Sequence, residues 1–258
     1  MNTKALIVIP ARMGSQRFPN KPMVCIAKMT MIERVWRIAK AVKQAGHVVI
    51  ATDDPMLKEF CIGFGAQVVM TASHHLTGTD RVAEAAQYYP GYGIIFSLQG
   101  DAVLTPPWVV DAVLEVMLKN ETVGLATPAV KLEKRALDEF LKSKKAGSTT
   151  GTTVVFDQDF DALYFSKAVI PLDRSSEPIL YRHIGLYGYR LPILQKLACL
   201  PQSRLEKMER LEQLRALEHK IPIRVVIVDY RNRTHGSVDL PEDVKVVESI
   251  IEKEGELV

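Results

Sequence analysis

A run of apolar residues near the N-terminus leads directly into a loop that carries three cations. Residues 5–9 are uniformly apolar, as in a strand that is buried on both faces of a parallel sheet. The following loop contains Arg12, Arg17 and Lys21, together with one glycine and three prolines. Cationic side chains and backbone N–H groups of such a loop can both reach phosphate oxygens. Because α/β proteins place ligands at the carboxyl ends of parallel strands, the pattern predicts a polyanion site after the first strand.

The same loop excludes two common nucleotide-binding motifs. A Walker A loop needs Gly, four residues and then Gly-Lys-Ser/Thr, and a dinucleotide loop needs Gly-x-Gly-x-x-Gly. Residues 9–22 contain a single glycine, Gly14. The remaining interpretations are a triphosphate site of a third kind and an exposed basic loop with no ligand.

Composition limits the class of protein. The 258 residues are 47% hydrophobic and 24% charged, which is typical of a globular protein of one or two domains. A net charge of +3 gives no reason to expect nucleic acid binding. No apolar run reaches about 18 residues, so no membrane insertion is expected. The three cysteines, Cys25, Cys61 and Cys199, are scattered without metal-site spacing, as expected of reduced thiols. The N-terminus has the pattern of a strand and not of a signal peptide. We therefore expect a cytoplasmic protein.

Strand-like and helix-like segments alternate through the first 121 residues. The predicted strands are 4–10, 48–51, 68–70 and 94–98, and the predicted helices are 30–45, 55–64, 79–89 and 108–119. Gly46 is predicted to cap the first helix. Such alternation predicts an α/β fold with a mostly parallel central sheet flanked by helices.

The pattern changes after residue 121. Short strands at 123–130, 152–156 and 162–165, with a charged and partly helical segment at 131–145, predict a smaller antiparallel α+β lobe. We therefore expect residues 1–121 and 182–258 to form the larger domain and residues 122–181 the lobe. Residues 182–190 alternate as a single strand, Ser203 and Glu206 form a capping box that opens a helix burying Met208, and residues 223–229 form the last strand.

Two acids follow predicted strands that are far apart in sequence. Asp101 comes after strand 94–98 and the Gln99-Gly100 turn, and Asp239 comes after strand 223–229. Both lie where a strand gives way to a loop, so their carboxylates could converge on one Mg²⁺, which prefers a few oxygen ligands and shared phosphate oxygens. The alternative for each acid alone is a turn or a helix cap.

Three further groups of polar residues stand out. Arg81 lies near the start of a helix, where a cation is unfavourable unless an anion also binds; the alternative is a surface arginine paired with Glu84 or Glu115. His183 and Tyr187 share one strand face and could bind a polyhydroxylated ligand or simply pack in the core. Glu212 and Gln213 could accept sugar hydroxyls or be solvated. A phosphate-binding loop, paired carboxylates and a polar second pocket suit phosphoryl or nucleotidyl transfer.

Several motifs occur in the order of a known family over nearly the whole chain. They are the 9–22 loop, Ala51-Thr52-Asp53, Gly78-Thr79-Asp80-Arg81, Gln99-Gly100-Asp101, Tyr164-Phe165-Ser166, the 183–190 segment, Leu211-Glu212-Gln213-Leu214-Arg215 and Val238-Asp239-Leu240-Pro241-Glu242-Asp243. With these motifs the chain resembles the 3-deoxy-manno-octulosonate (Kdo) cytidylyltransferases, also called CMP-Kdo synthetases.

The resemblance implies a GT-A-like nucleotidyltransferase that forms a homodimer through its smaller lobe and transfers CMP from CTP to a 3-deoxy sugar acid, with Mg²⁺ and for lipopolysaccharide or capsule assembly. It implies catalytic roles for Arg12, Lys21, Asp101 and Asp239. Asp101 and Asp239 would hold the metal. The implied nucleotide-binding residues are Ala11, Arg12, Gly14, Ser15, Arg17, Lys21, Thr52, Asp53, Thr79 and Arg81. The implied sugar-binding residues are Gln99, His183, Tyr187, Glu212 and Gln213.

The chain departs from the family pattern at four places. Ala102-Val103 replaces Glu-Pro, Lys167 replaces Arg, residues 151–155 replace an Asn-x-Val-Lys-Val stretch, and residues 27–30 replace an Asn-Gly-Lys-Pro turn. These changes lie on the sugar and dimer side, so an 8-amino form of Kdo or another ulosonic acid is an alternative acceptor. A non-catalytic nucleotide-sugar binder and a sugar-1-phosphate nucleotidylyltransferase are alternative functions, although the latter usually has a Gly-x-Gly-rich first loop.

Overall fold

The computed structural model describes residues 4–14, 18–175 and 178–258. Its strands are Ala5–Pro10 (β1), Cys25–Ile26 (β2), Met29–Thr30 (β3), Ala45–Thr52 (β4), Gln67–Met70 (β5), Ile94–Ser97 (β6), Leu125–Lys131 (β7), Thr152–Phe156 (β8), Ala162–Ser166 (β9), Tyr181–His183 (β10), Tyr187–Arg190 (β11) and Arg224–Ile227 (β12). Its α-helices are Met31–Lys40 (α1), Pro55–Gly63 (α2), Gly78–Gln87 (α3), Pro107–Lys119 (α4), Lys134–Lys145 (α5), Leu191–Cys199 (α6), Arg204–Glu209 (α7), Leu214–Glu218 (α8) and Asp243–Glu254 (α9). This alternation confirms the α/β class.

One sheet organises the molecule. Its strand order is β5-β4-β1-β6-β11-β7-β10-β8-β9, and β12 pairs with β7. The strands β5, β4, β1 and β6 pair in parallel, and β11 inserts antiparallel between β6 and β7. The parallel half directs the carboxyl ends of β1, β4 and β6 to one edge of the sheet, which is where such sheets bind ligands.

The strands of residues 122–181 continue this sheet and close into a ring. β7 pairs with β10, β10 with β8, and β8 with β9, all antiparallel. The start of β9 returns to β12, since Ala162 N–H donates to the Ile223 carbonyl at 2.8 Å and Val225 N–H donates to the Phe160 carbonyl at 2.8 Å. Strands β7, β10, β8 and β9 thus pair antiparallel in that order, while β7 also pairs in parallel with β12. The division into a larger domain and a smaller lobe stays a prediction.

The sheet separates two hydrophobic cores, because side chains of a strand alternate between its faces. Ile7 and Ile9 of β1 pack with the apolar faces of α1, α2, α4 and α9. Leu6 and Val8 pack with α3, α6 and α8 on the opposite face. Burial on both faces explains why residues 5–9 are uniformly apolar.

Within the residues that the structure describes, no helix combines the length and the apolar character that a membrane crossing requires.

Three local predictions were wrong. The first helix ends at Lys40, and Gly46, predicted as its cap, lies inside β4. The strand predicted over 182–190 is two strands, β10 and β11, separated at residues 184–186. The capping box of Ser203 is confirmed, but its helix stops at Glu209 because Arg210 takes a left-handed conformation, and Met208 is exposed.

The β2–β3 hairpin has an unfavourable turn sequence. Its two turn residues, Ala27 and Lys28, both have positive φ, 45° and 70°. A two-residue hairpin turn with positive φ at both positions is type I′, which favours Asn-Gly because other residues pay a steric cost in this region. The turn is held by Glu248 of α9, whose carboxylate accepts from Ala27 N–H at 3.0 Å.

We predict that the double substitution Ala27→Asn and Lys28→Gly stabilises the protein, by about 0.5–1 kcal/mol, because it removes side-chain strain from the turn. Urea denaturation measures the free energy of unfolding. Lys28→Ala is the control: it removes the charge but keeps a Cβ at positive φ, so we expect no gain. A gain in the control equal to that in the double variant would attribute the effect to charge and contradict the prediction.

Candidate active site

Three distant segments meet at the carboxyl ends of β1 and β6. The Lys21 Nζ lies 2.7 Å from Asp101 Oδ2 and 4.0 Å from Asp239 Oδ1. Lys21 opens a 3-10 turn, Lys21–Met23, after the first loop. The two carboxylates that the sequence predicts to converge therefore both lie within 4.0 Å of one ammonium group.

A close backbone approach places Asp101. A Cβ on Gly100 would lie 2.9 Å from the Pro10 carbonyl oxygen, so only glycine lets this turn rest against the end of β1. The Asp101 carbonyl also accepts from Val103 N–H at 2.9 Å and from Val238 N–H at 3.4 Å. The last contact brings the segment that ends in Asp239 to the same turn.

Asp239 is placed by the start of α9. Its N–H donates to Asp243 Oδ2 at 2.7 Å, and the Leu240 N–H donates to the same oxygen at 2.8 Å. Asp243, an acidic residue in the first turn of α9, thus fixes the chain beside the cavity. The Asp239 side chain remains half exposed and faces Lys21.

Asp101 and Asp239 fit a Mg²⁺ site in which phosphate oxygens of a bound ligand complete the coordination. Mg²⁺ usually takes one or two carboxylates and completes its octahedron with water and phosphate oxygens. Asp101 and Asp239 supply those two carboxylates. In the described part of the chain, no group of three or more His, Cys, Asp or Glu residues could hold a metal on its own. A cation here would therefore depend on oxygens from a bound substrate.

Arg81 is buried and held by partners other than those considered from the sequence. Its guanidinium is 3.1 Å from Asp53 Oδ1 and donates to the Thr71 hydroxyl. The expectation of a surface arginine paired with Glu84 or Glu115 was wrong. Glu84 instead binds His75 and the Ala72 N–H. Burial alone would raise the pKa of Glu84, and these hydrogen bonds, together with the charge of His75, outweigh burial and lower it.

A cavity of about 250 Å³ brings together four of the ten predicted nucleotide-binding residues, Ala11, Arg12, Lys21 and Arg81, with both Asp101 and Asp239. Its lining is Pro10, Ala11, Arg12, Lys21, Pro22, Met31, His75, Thr77, Gly78, Arg81, Gln99, Gly100, Asp101 and Asp239. Asp53 lies behind Arg81 and does not line the cavity, nor do Gly14 and Thr52; the Thr52 hydroxyl accepts from Asp54 N–H. Ser15 and Arg17 lie outside the described residues.

Sequence reasoning missed several lining residues. His75 and Thr77 lie in the loop between β5 and α3, and Thr77 caps α3 in a capping box with Asp80. The capping signal was readable in the sequence, because Thr77 precedes Asp80 by three residues. Nothing local marked His75, whose place in the cavity depends on the Glu84 contact from α3.

A second cavity, of about 20 Å³, lies on the other side of the start of α3. Thr79, Tyr187, Glu212 and Gln213 line it, together with Leu125, Tyr189, Leu197, Arg215 and Ala216. Thr79, predicted to bind nucleotide, therefore faces this cavity and not the first one. Gln99, predicted to bind the sugar acid, lines the first cavity, where its Nε2 donates to Ser97 Oγ at 3.0 Å.

Glu212 and Gln213 present unsatisfied polar atoms at the second cavity. Glu212 Oε1 and Gln213 Nε2 are buried and make no hydrogen bond among the described residues. Burial raises the pKa of Glu212, and Arg215 and the Thr79 hydroxyl oppose that shift without cancelling it. A neighbouring acceptor and donor without partners suit a ligand that carries hydroxyl groups.

His183 lines neither cavity and is bonded inside the protein. Its Nε2 is 2.9 Å from the Thr127 hydroxyl, which donates to the Leu186 carbonyl at 2.8 Å. The hydroxyl therefore accepts from His183, which assigns the ring proton to Nε2. Burial, and then the charges of His235 and Lys167, lower the pKa of His183 to about 3, so the ring is neutral at pH 7. Only Nδ1 is left for a ligand.

Comparison with known proteins settles the family. A family model described as Cytidylyltransferase matches residues 6–223. The chain is 48% identical over 256 residues to the 3-deoxy-manno-octulosonate cytidylyltransferase of Maricaulis maris (strain MCS10), with 98% of this chain and 99% of that protein covered. The chain belongs to the 3-deoxy-manno-octulosonate cytidylyltransferase family.

Further relatives agree with this family. The 3-deoxy-manno-octulosonate cytidylyltransferase of Thermodesulfovibrio yellowstonii is 39% identical, with 95% of this chain and 97% of that protein covered. A solved structure of CMP:2-keto-3-deoxy-manno-octonic acid synthetase complexed with CTP superposes with a TM-score of 0.87 at 34% identity, covering 97% of this chain and 99% of that one. These findings confirm the resemblance seen in the motifs, the nucleotidyltransferase fold and the expectation of a nucleotidyltransferase enzyme.

We predict that Gly100→Ala destabilises the protein by about 1–3 kcal/mol, because the new methyl group meets the backbone of Pro10 and the turn must move. Gly63→Ala is the matched control. Gly63 is the last residue of α2 and has no atom within 4 Å of a built Cβ, so alanine there is expected to be neutral or stabilising. Urea denaturation of both variants checks this, and equal stabilities would contradict it.

Proposed function

We propose that this protein transfers CMP from CTP to Kdo and releases pyrophosphate. The observation that carries the proposal is the convergence of Asp101 and Asp239 on Lys21 inside a cavity that also contains Arg12 and Arg81. Three cations can hold a triphosphate, and two carboxylates can share a metal with it. The names of the relatives support CTP as donor and Kdo as acceptor.

Asp101 and Asp239 would hold the Mg²⁺, which would lower the negative charge at the reacting phosphate. Lys21 and Arg12 bind the triphosphate and keep its α-phosphorus in position. Arg17, outside the described residues, stays a predicted third contact of the loop. Arg81 is held by Asp53, so its guanidinium is preorganised toward the cavity. Charge stabilisation by groups that need not move is the main contribution expected in such a transfer.

The reaction is a single displacement at phosphorus. The anomeric oxygen of the sugar acid forms a bond to the α-phosphorus, the bond from that phosphorus to the bridging oxygen of pyrophosphate breaks, and the hydroxyl proton leaves to solvent. Gln99 lies next to Asp101 at the cavity and is placed to orient the sugar acid. Glu212 and Gln213 bind its hydroxyls from the second cavity.

The departures from the family pattern make the identity of the acceptor the point to test. Ala102 and Val103 are buried under the Asp101 turn, and Thr152 of the changed 151–155 segment pairs with His183. A panel compares Kdo, its 8-amino form and nine-carbon ulosonic acids, with pyrophosphate release as the measurement. Release with Kdo at the highest kcat/KM supports the proposal. A clear preference for another acid would move the assignment to that acid, and no release with any of them would overturn it.

We predict that Asp101→Asn lowers kcat/KM about 100- to 1000-fold, because the neutral amide neither holds the metal nor balances Lys21. The concentration of Mg²⁺ needed for half-maximal activity should rise as well. Asp138→Asn on the exposed face of α5 is the control and should keep full activity. Activity in Asp101→Asn within a few-fold of wild type would exclude a metal role for Asp101.

We also propose that the protein is a cytoplasmic homodimer formed through the smaller lobe. Beyond Ala162, no described strand pairs with the outer edge of β9, and Leu163 on this strand is 62% exposed. Leu172, at 79%, and Ile179, at 49%, are exposed nearby in sequence. An open strand edge with exposed apolar side chains is an association surface. The three free cysteines support a reducing compartment.

We predict that Leu163→Glu weakens dimerisation about tenfold or more, because a buried carboxylate without a partner is costly at an interface. Size-exclusion chromatography with light scattering should show a dimer for the wild type and a monomer for the variant. Met56→Glu on α2, where Met56 is 72% exposed, is the control and should remain dimeric. A monomeric wild type, or a Leu163→Glu variant that stays dimeric, would refute this interface.

A further inference from the structure

Arg215 is a buried arginine in the lining of the second cavity. It is 4% exposed and forms two hydrogen bonds with Glu206, from Nε to Oε2 at 2.9 Å and from Nη2 to Oε1 at 2.6 Å. Glu206 also accepts from Ser203 N–H at 3.0 Å, as the far half of the capping box of α7. The guanidinium plane is therefore fixed from the α7 side, and it cannot rotate without breaking a bidentate ion pair.

The same guanidinium reaches Glu212. Arg215 Nη2 lies 3.6 Å from Glu212 Oε1, and the Arg215 N–H donates to the Glu212 carbonyl at 3.0 Å. These contacts span the turn between α7 and α8, where Arg210 has a φ of 54°. The Glu206–Arg215 pair joins α7 to α8 across this turn.

Two polar atoms beside this ion pair make no hydrogen bond. Glu212 Oε1 and Gln213 Nε2 line the second cavity and are buried without hydrogen bonds among the described residues. A buried polar atom that lacks a hydrogen bond costs roughly 1–3 kcal/mol, so a ligand that bonds to these two atoms stabilises the arrangement.

We infer that Arg215 is a positioning residue for the sugar acid: through its fixed pair with Glu206 it holds the Glu212 carboxylate, and the adjoining Gln213 amide, in place for the acceptor's hydroxyl groups. This inference rests on the proposed function. It assigns no contact between Arg215 and the substrate. It predicts that Arg215 affects acceptor binding and leaves the nucleotide, which binds in the other cavity, unaffected.

The pH dependence of kcat/KM gives a second readout, because the charge of Arg215 affects the pKa of Glu212. The groups that face Glu212 are Arg215, the Thr79 hydroxyl, the carboxylates of Asp80 and Glu206, and the phenols of Tyr187 and Tyr189. Burial raises the pKa of Glu212, and Arg215 is the main group that lowers it. Loss of the arginine charge raises that pKa further, so the carboxyl becomes protonated at a higher pH than in the wild type. The acidic limb of kcat/KM for the acceptor then moves to higher pH.

The experiment compares Arg215→Lys and Arg215→Met with wild type, varying CTP and Kdo separately. Lysine keeps the charge and loses the planar fork, whereas methionine loses both. We expect the KM for Kdo to rise about tenfold in both variants, as for one lost charged hydrogen bond, with the KM for CTP within about twofold. Only Arg215→Met should move the acidic limb upward.

Two controls separate positioning from folding. Arg224→Lys changes another partly buried ion pair, with Asp161 at 2.8 Å, that lines neither cavity, and it should leave both KM values unchanged. The double variant Glu206→Gln and Arg215→Met removes both buried charges, so it should fold if Arg215→Met alone does not, and it should still show the raised KM for Kdo.

The outcomes are distinct. Equal changes in both KM values, or no change in either, while the wild type turns over Kdo, would overturn the inference alone. An unmoved acidic limb in Arg215→Met would do the same. A wild type that releases no pyrophosphate with CTP and Kdo would overturn the proposed function and this inference together.

Discussion

The structure depends on an ammonium group held between two carboxylates from distant parts of the chain. Lys21, Asp101 and Asp239 come from the first loop, the turn after β6 and the segment before α9. Two carboxylates close to one ammonium group would repel each other without it, and Lys21 offsets that repulsion. The ion pairs therefore organise the site, and a nucleotide with its metal can interact with the same charges. Much of the surrounding fold serves to hold these three segments in register.

The C-terminal helix α9 joins two of those segments. Its residue Glu248 binds the β2–β3 hairpin that follows Lys21, and Glu256 beyond its end pairs with the buried Arg34 of α1. Arg233, a few residues before Asp239, donates to the carbonyls of Gly255 and Glu254. One helix thus anchors both the Lys21 side and the Asp239 side of the cavity, which gives a physical reason for a long-range contact between the two ends of the chain.

The start of α3 divides the two cavities and serves both. Thr77, Gly78 and Arg81 face the larger, charged cavity, while Thr79 faces the smaller one. The two cavities differ in the charged groups that line them. The larger cavity is lined by the cations Arg12, Lys21 and Arg81. The smaller one is lined by the Glu212 carboxylate and by Arg215, whose charge is paired with the buried Glu206.

The α/β class, the position of the polyanion loop after β1, the convergence of Asp101 with Asp239 and the family could be predicted from the amino-acid sequence, because strand periodicity, strand-end chemistry and ordered motifs are local or nearly local signals. The end of the first helix was misplaced, and Met208 was predicted to be buried because no glycine marks the left-handed turn at Arg210 that ends α7. No local pattern predicts that Arg81 pairs with Asp53, that His75 reaches the cavity through Glu84, that Thr79 faces the smaller cavity or that His183 is bonded to Thr127. Each of these depends on which surfaces of α3, β7 and β10 pack together, and packing between elements distant in sequence leaves no periodic pattern along the chain.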